Sequence, residues 1–325
     1  MNTYESDKNN NNPLVILSGP TAVGKTSLSI ALAQKIDGEI ISADSMQVYK
    51  GMDIGTAKIK EEEMGGVCHH LIDVLLPDAN FDITLFCNMA GKCIEDILSR
   101  NKIPILVGGT GFYIQGLLYD IDFSAGDNNN EYRSKLEEIS INEGSKRLHE
   151  MLKEADPAAA AKLHPNDKRR IIRALEYNMT SGLKISEHNQ DSKLKISPYN
   201  YAYFVLNDKR ELIYDSINRR VDKMLENGLV SEVKNLLKAG YIKDSTALQA
   251  IGYKEVIEYL EGNIDYDRAA ELIKQNTRHF AKRQITWFKR EKDVIWLNKN
   301  EYDYDNDRIL SAIMAKLEER NIVKA

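Results

Sequence analysis

The sequence predicts an α/β fold, a parallel sheet with helices on both faces, interrupted by an inserted helical subdomain. Two observations carry that prediction. Short apolar runs of strand length alternate with stretches of helical periodicity. The first run, Leu14 to Leu17, ends in the glycine-rich SGPTAVGKT, after which Leu28, Ala31, Leu32 and Ile36 recur at helical spacing. Strand, glycine loop and helix, followed by further strand and helix alternation, imply right-handed crossovers between parallel strands.

Taken in order, further buried strands are predicted at Ile40 to Ala43, Leu71 to Val74, Ile103 to Val107, Tyr201 to Leu206 and Val294 to Leu297, with a helix over Ile83 to Ser99. The stretch from about Ala125 to Asn189 differs, being polar, rich in Glu, Lys and Ala and without a convincing strand. It reads as a helical insertion that opens with the loop DNNNE, and Ser181-Gly182 closes one of its helices. From Asp208 onward the pattern is helical again, with EYLEGNIDYDRAAELIKQNTRHFAKRQITWFKREK forming one or two long helices before the last strand. The expected organisation is a disordered Asn-rich tail at 1–12, a first part of the core at 13–124, the insertion at 125–189 and a second part of the core at 190–325.

Composition narrows the function classes. Of 325 residues, 42% are hydrophobic and 29% charged, and no run approaches the eighteen or more apolar residues of a membrane span. The N-terminal residues show no basic segment followed by an apolar one, so a cytoplasmic setting and a monomer are the default expectations. Cys68, Cys87 and Cys93 form no C-x-x-C pair, which argues against a zinc ribbon or a disulfide framework. His69 and His70 beside Cys68 lack a spaced second pair of ligands, so a metal site is not expected there. The net charge of -5 disfavours nucleic acid on its face, but a whole-chain balance hides local patches.

Gly19-Pro20-Thr21-Ala22-Val23-Gly24-Lys25-Thr26 matches G-x-x-x-x-G-K-[ST] at a strand-to-helix junction. Glycines let backbone N–H groups turn inward on phosphate oxygens, Lys25 neutralises charge, the Thr26 hydroxyl reaches Mg²⁺, and the following helix points its positive end at the anion. Such a loop implies a diphosphate or polyphosphate ligand and leaves the reaction open. The run IPILVGGTG ends in Gly108-Gly109-Thr110 rather than in Asp, which shifts weight away from a motor or switch ATPase. After the second strand comes Asp44, at a strand C-terminus and therefore beside the phosphate loop, or alternatively a turn or helix-capping carboxylate.

The blocks GPTAVGKT, ADSMQVYKGMDIGTAK, LVGGTGFY, HPNDKRRIIRALE, LQAIGYKE and AKRQITWFKR, in this order, closely resemble the tRNA dimethylallyltransferase family in its bacterial form. The likeness runs from Pro13 to about Leu297. It implies a P-loop kinase-like core with a helical insertion, dimethylallyl diphosphate as donor in the cradle, and the exocyclic amine of the adenosine next to the tRNA anticodon as acceptor. It further implies Asp44 as the base, Thr21, Lys25 and Thr26 with Mg²⁺ on the leaving diphosphate, and a distal arginine at Arg220, with the adjacent Arg219 as rival, since neighbouring helix positions face different ways. Positions matching the family's RNA contacts are Asp44, Ser45, Met46, Gln47, Thr110, Arg133, Arg169, Arg170, Ile171, Ile172, Arg173, Gln249, Gly252, Tyr253, Lys282, Arg283, Gln284 and Trp287. Thr110 has a helix cap as its alternative role, and Gly252 and Tyr253 a core turn. The zinc finger of eukaryotic relatives has no counterpart, so no metal besides Mg²⁺ is expected.

Two basic patches reconcile an acidic chain with RNA. Arg268 to Lys292 contains eight Lys or Arg against two Glu and carries His279, Phe280, Trp287 and Phe288 among them. Cations interleaved with aromatics grip phosphates and stack on unpaired bases, although the aromatics equally suit the core side of an amphipathic helix. Lys162, Lys168, Arg169, Arg170 and Arg173 make the second patch, in the insertion. Prenyl transfer to a free adenylate nucleotide, a nucleotide kinase and a noncatalytic RNA-binding protein are the rivals. The long insertion and basic helix disfavour the first, and an intact Lys25, Thr26 and Asp44 disfavour the last.

Overall fold

The computed structural model describes residues 12–121, 130–188 and 196–324, so the tail through residue 11 and residues 127–129 of the DNNNE loop lie outside the described residues. Six strands, β1 (Pro13–Ser18), β2 (Gly38–Ser42), β3 (His69–His70), β4 (Ile103–Gly108), β5 (Asn200–Asn207) and β6 (Val294–Asn298), form one sheet in the order β3-β2-β4-β1-β5-β6. Every pairing is parallel. The register sets Ser18 against Gly108 and Asn207 against Asn298, so the strands end along one common edge. In a parallel sheet that carboxyl edge is the ligand side.

Both faces are covered. Alternate residues of β1, Val15 and Leu17, join a core with Leu28 and Leu32 of α1 (Lys25–Ile36) and with Ile309, Ile313 and Leu317 of the C-terminal helix Asn306–Glu319. Leu14 and Ile16, of the opposite parity, are equally buried, as a sheet sandwiched between helices requires. The helix predicted at Ile83 to Ser99 is present over those residues as α2, opened by Asp82, whose side chain accepts the Leu85 N–H. The strand expected at Leu71 to Val74 is absent. Leu71 and Asp73 have φ of 63° and 55°, which breaks an extended chain, and the two-residue β3 pairs instead just upstream.

By its contacts the chain divides into two compact units, Met1–Leu117 with Pro198–Ala325, and Leu118–Ser197. In the second, α4 (Asn130–Asn142), α5 (Ser145–Ala155), α6 (Pro157–Ala160) and α7 (Lys168–Ser181) bury Leu136, Leu148, Leu152, Ile171 and Leu175 together. Gly182, at φ 71°, closes α7 in the left-handed conformation that favours glycine. Two buried carboxylates tie this small core. Asp156 accepts the N–H groups of Ala159 and Ser186, and Glu176 pairs with Arg133 and Arg173. Helix α3 (Gly111–Leu118) follows β4. In the first unit α8 (Arg210–Glu226), α9 (Leu229–Lys238), α10 (Tyr253–Leu260) and α11 (Tyr266–Phe288) follow β5. The long helical run before the last strand is thus two helices, broken at Gly262 (φ 78°) and restarted by Asp265, whose carboxylate accepts the Arg268 N–H. Among the described residues no helix is long and apolar enough to cross a membrane.

The amino edge of the sheet is tied by Glu39, which is 3% exposed. Its carboxylate accepts both Nη atoms of Arg100, with His70 Nε2 at 2.8 Å and Lys102 Nζ at 3.3 Å. Hydrogen bonds from Arg100, more than enough to offset burial, hold its acid group near 2, below the usual 4.5. Because the folded value is depressed, the stabilisation is complete above 4.5 and lost as pH falls toward 2. Glu39→Gln is therefore expected to cost about 2 kcal/mol at pH 7, with the half-exposed Arg100 allowed for. Urea unfolding at a series of pH values should show the gap between wild type and variant closing below pH 4.5; a pH-independent gap would refute the ionic origin.

Candidate active site

The loop Gly19 to Thr26 leaves β1 at the carboxyl edge and becomes α1 at Lys25, with Gly24 as N-cap. Ala22 (φ 63°) and Gly24 (φ 99°) are left-handed, the alternation that gathers consecutive N–H groups into a concave anion nest. The Lys25 ammonium folds back onto the loop, donating to Gly19 O at 3.0 Å and Pro20 O at 2.8 Å. Burial, then the Arg220 guanidinium beside it, pull Lys25 down to about 8, against the opposing pull of Asp44. Thr26 stands exposed in the first turn of α1.

Asp44 follows β2 at the same edge. Its Oδ1 accepts the Met46 N–H at 2.9 Å and the Gln47 N–H at 3.4 Å, so it is a turn carboxylate at the ligand edge of the sheet. Gln47 does not present its amide outward. Its Oε1 accepts the Ser42 hydroxyl, and Nε2 donates to Thr56 O at 3.3 Å and Ala57 O. Ser45 and Met46 are partly exposed. Lys58, whose side chain is 4% exposed, fastens the far end of this loop by donating to Tyr49 O, Asp53 and Asp73.

The geometry separates the two arginines of α8. Arg219 is exposed and donates to Ser216, while Arg220 is half-buried, donates to Thr56 O at 3.2 Å, and lies within electrostatic range of both Lys25 and Asp44. Burial lowers the guanidinium and Asp44 opposes it. Two cations and one carboxylate, drawn from three separate segments, therefore converge at the nest.

Thr110 lies in the GGTG turn just before α3, where its N–H donates to Ala43 O (3.3 Å) and its carbonyl accepts the Tyr113 N–H in the first turn of α3. The glycines here are required by close approach. A Cβ on Gly109 would collide with the Gln284 amide, and one on Gly111 with the Trp287 indole. Gln284 and Trp287 are one turn apart on α11, so this helix lies directly on the turn. Gln284, 5% exposed, accepts the Thr21 N–H on Oε1 (2.9 Å) and donates from Nε2 to Gly109 O (3.0 Å). It joins the phosphate loop to the GGTG turn. No periodicity signals that role; only the GGTG glycines hint that something packs there.

Other positions expected to contact RNA are also buried. Tyr253 is fully buried and donates to Glu232 Oε1 at 2.6 Å. Gly252 is buried, with φ 99°, as the N-cap of α10, its N–H held by Glu255. Ile171 and Ile172 belong to the core of the second unit. Phe288 is core, whereas Trp287 packs edge-on to Phe112 and Phe280 lies under Arg283. Remaining at the surface are Gln249, Lys282 and Arg283 in the first unit, and Arg133, Arg169 and Arg170 in the second, with Arg173 half-buried.

Among the described residues, one cluster of metal-ligand type brings Glu39, Cys68 and His70 atoms within 4.8 Å of one another. Arg100 and Lys102 already neutralise that carboxylate, so a cation there would meet two like charges.

A family model described as IPP transferase matches residues 47–291. The tRNA dimethylallyltransferase of Lachnoclostridium phytofermentans is 54% identical over 312 residues, which are 96% of this chain and 99% of that one. The crystal structure of the full-length tRNA isopentenylpyrophosphate transferase from Bacillus halodurans is similar at a TM-score of 0.71 and 44% identity, covering 95% of this chain and 98% of that one. A eukaryotic dimethylallyltransferase captured acting on tRNA is similar at a TM-score of 0.81 and 31% identity, covering 97% and 81%. With a model match over most of its length and near-complete coverage of relatives at such identities, this chain belongs to the IPP transferase family.

Proposed function

We propose that this chain transfers the dimethylallyl group from dimethylallyl diphosphate to the exocyclic N6 amine of the adenosine next to the anticodon in tRNA, releasing diphosphate. The observation that carries the reading is the convergence of Lys25, Arg220 and Asp44 at the anion nest. The donor's diphosphate lies in the nest, with Lys25 turning from the Gly19 and Pro20 carbonyls to the phosphate oxygens. The adenine nitrogen attacks the allylic carbon, the bond from that carbon to the diphosphate oxygen breaks, and the amine proton passes to the Asp44 carboxylate. Negative charge grows on the departing diphosphate, where fixed donors and cations lower the barrier most. In this reading Lys25, Arg220 and the Thr21 hydroxyl supply them.

The Thr26 hydroxyl together with phosphate oxygens is the hard-oxygen donor set that Mg²⁺ takes, and such an ion would add further neutralisation of the leaving group. For the acceptor, the exposed cations Lys282 and Arg283 on α11 and Arg169 and Arg170 on α7 suit tRNA phosphates. One copy of the chain carries all these groups, which suits a monomer working in the cytoplasm.

Three outcomes test the reading. Asp44→Ala removes the proton acceptor and leaves the nest intact, so transfer to unmodified tRNA should fall by about 10²-fold or more while donor affinity changes little; turnover at the wild-type rate would dismiss Asp44 as the base. Because Lys25 carries its charge below about 8, kcat/KM for the donor, which reports the free enzyme, should decline as pH rises through that value; a flat profile up to pH about 10, near the ordinary lysine value, would contradict it. Replacing Lys282 and Arg283 by Gln should weaken tRNA binding chiefly at low salt and reduce the salt slope by about one to two. Titrations at several salt concentrations that superimpose on wild type would move the RNA surface elsewhere.

A further inference from the structure

The loop from Asp53 to Ala57 meets the site through the Thr56 and Ala57 carbonyls, and its N–H groups are fastened from the other side. Three consecutive N–H groups converge on one carboxylate. Asp53 and Ile54 donate to Glu232 Oε2 at 2.9 and 2.7 Å, and Gly55 donates to Oε1 at 3.1 Å. The Tyr253 hydroxyl completes the set on Oε1 at 2.6 Å. Four donors use the four lone-pair positions a carboxylate offers. Glu232 sits in the first turn of α9, where the helix dipole favours a negative charge. Gly55 leaves no alternative packing, since any Cβ there would run into the Tyr253 ring.

What this clamp holds is the next peptide. Thr56 O accepts Arg220 Nη2 at 3.2 Å and Gln47 Nε2 at 3.3 Å, and Ala57 O takes a second contact from Gln47. Gln47 in turn lies in the turn that Asp44 caps. The carboxylate of Glu232 thus fixes a carbonyl on which both the arginine and the base loop are hung.

We infer that Glu232 is a positioning residue for the reaction, touching no substrate but setting Arg220 and the Asp44 loop through the Asp53 to Ala57 backbone; the inference rests on the proposed prenyl transfer. Glu232→Gln keeps the size and places an N–H against backbone N–H groups, so it loosens the clamp without opening a cavity.

The test is single-turnover transfer from radiolabelled dimethylallyl diphosphate to a tRNA transcript by the full-length protein, both at saturation, with separate titrations of each ligand. Glu232→Gln should slow the step about 30-fold with either affinity changed less than about 3-fold, and in an Arg220→Lys background the same change should cost less than about 3-fold more, because the two act as one unit. If Glu232→Gln does not fold, as judged by circular dichroism, Tyr253→Phe removes one bond to the same carboxylate and should slow the step about 5-fold, again only when Arg220 is present. A folded variant at the wild-type rate, an equal loss in both backgrounds, or a loss confined to ligand affinity would each overturn the inference. Wild-type protein that fails to prenylate tRNA would instead refute the functional reading itself.

Discussion

Two cations, Lys25 and Arg220, stand close enough at the carboxyl edge of the sheet that Arg220 disfavours the charge of Lys25, while the carboxylate of Asp44 favours the charge of both. Like charges in a partly desolvated site are costly unless a counter-ion joins them. The proposed diphosphate ligand would relieve that cost, and the surrounding segments hold this unbalanced group of charges in place. The parallel sheet supplies the common edge. Left-handed residues in the loop supply the nest.

The same constraint explains why so much buried polar bonding surrounds the site. Gln284 joins the nest to the GGTG turn, Glu232 fastens the loop on which Arg220 is hung, and Lys58 pins the far end of the Asp44 loop. Glu232 and Lys58 have their hydrogen-bonding capacity spent on protein. A network satisfied in this way is rigid, and rigidity keeps donors aimed at a leaving group whose charge appears only during reaction. Helix α11 serves both sides of the problem, since Gln284, Trp287 and Phe288 face inward while Lys282, Arg283 and Lys289 face water.

Much of the fold was legible because its signals are local. The strand, loop and helix at residues 13–36, the helix over Ile83 to Ser99 and five of the six strands follow from apolar period and glycine placement alone. The strand expected at Leu71 to Val74 failed because its apolar run does not disclose the left-handed backbone of Leu71 and Asp73, and its place at the sheet edge is held by two histidines that carry no strand pattern. The orientation of Tyr253, Gln284, Ile171 and Ile172 was illegible for a related reason. Proximity in sequence to a surface motif says nothing of which way a side chain points, and these four point inward.

By itself, the amino-acid sequence determined the anion nest, the identities of Lys25, Thr26 and Asp44, the parallel architecture and the resemblance that led to the family, because each depends on residue types at short spacing along the chain. Only the tertiary structure decided that Arg220 rather than Arg219 turns toward Thr56, that Gln284 bridges the nest and the GGTG turn, and that Glu232, 188 positions after Asp44 in the numbering, anchors the loop beside it. Those are contacts between segments far apart in sequence, formed when helices settle on the sheet, and their geometry is set by packing rather than by any pattern the chain displays locally.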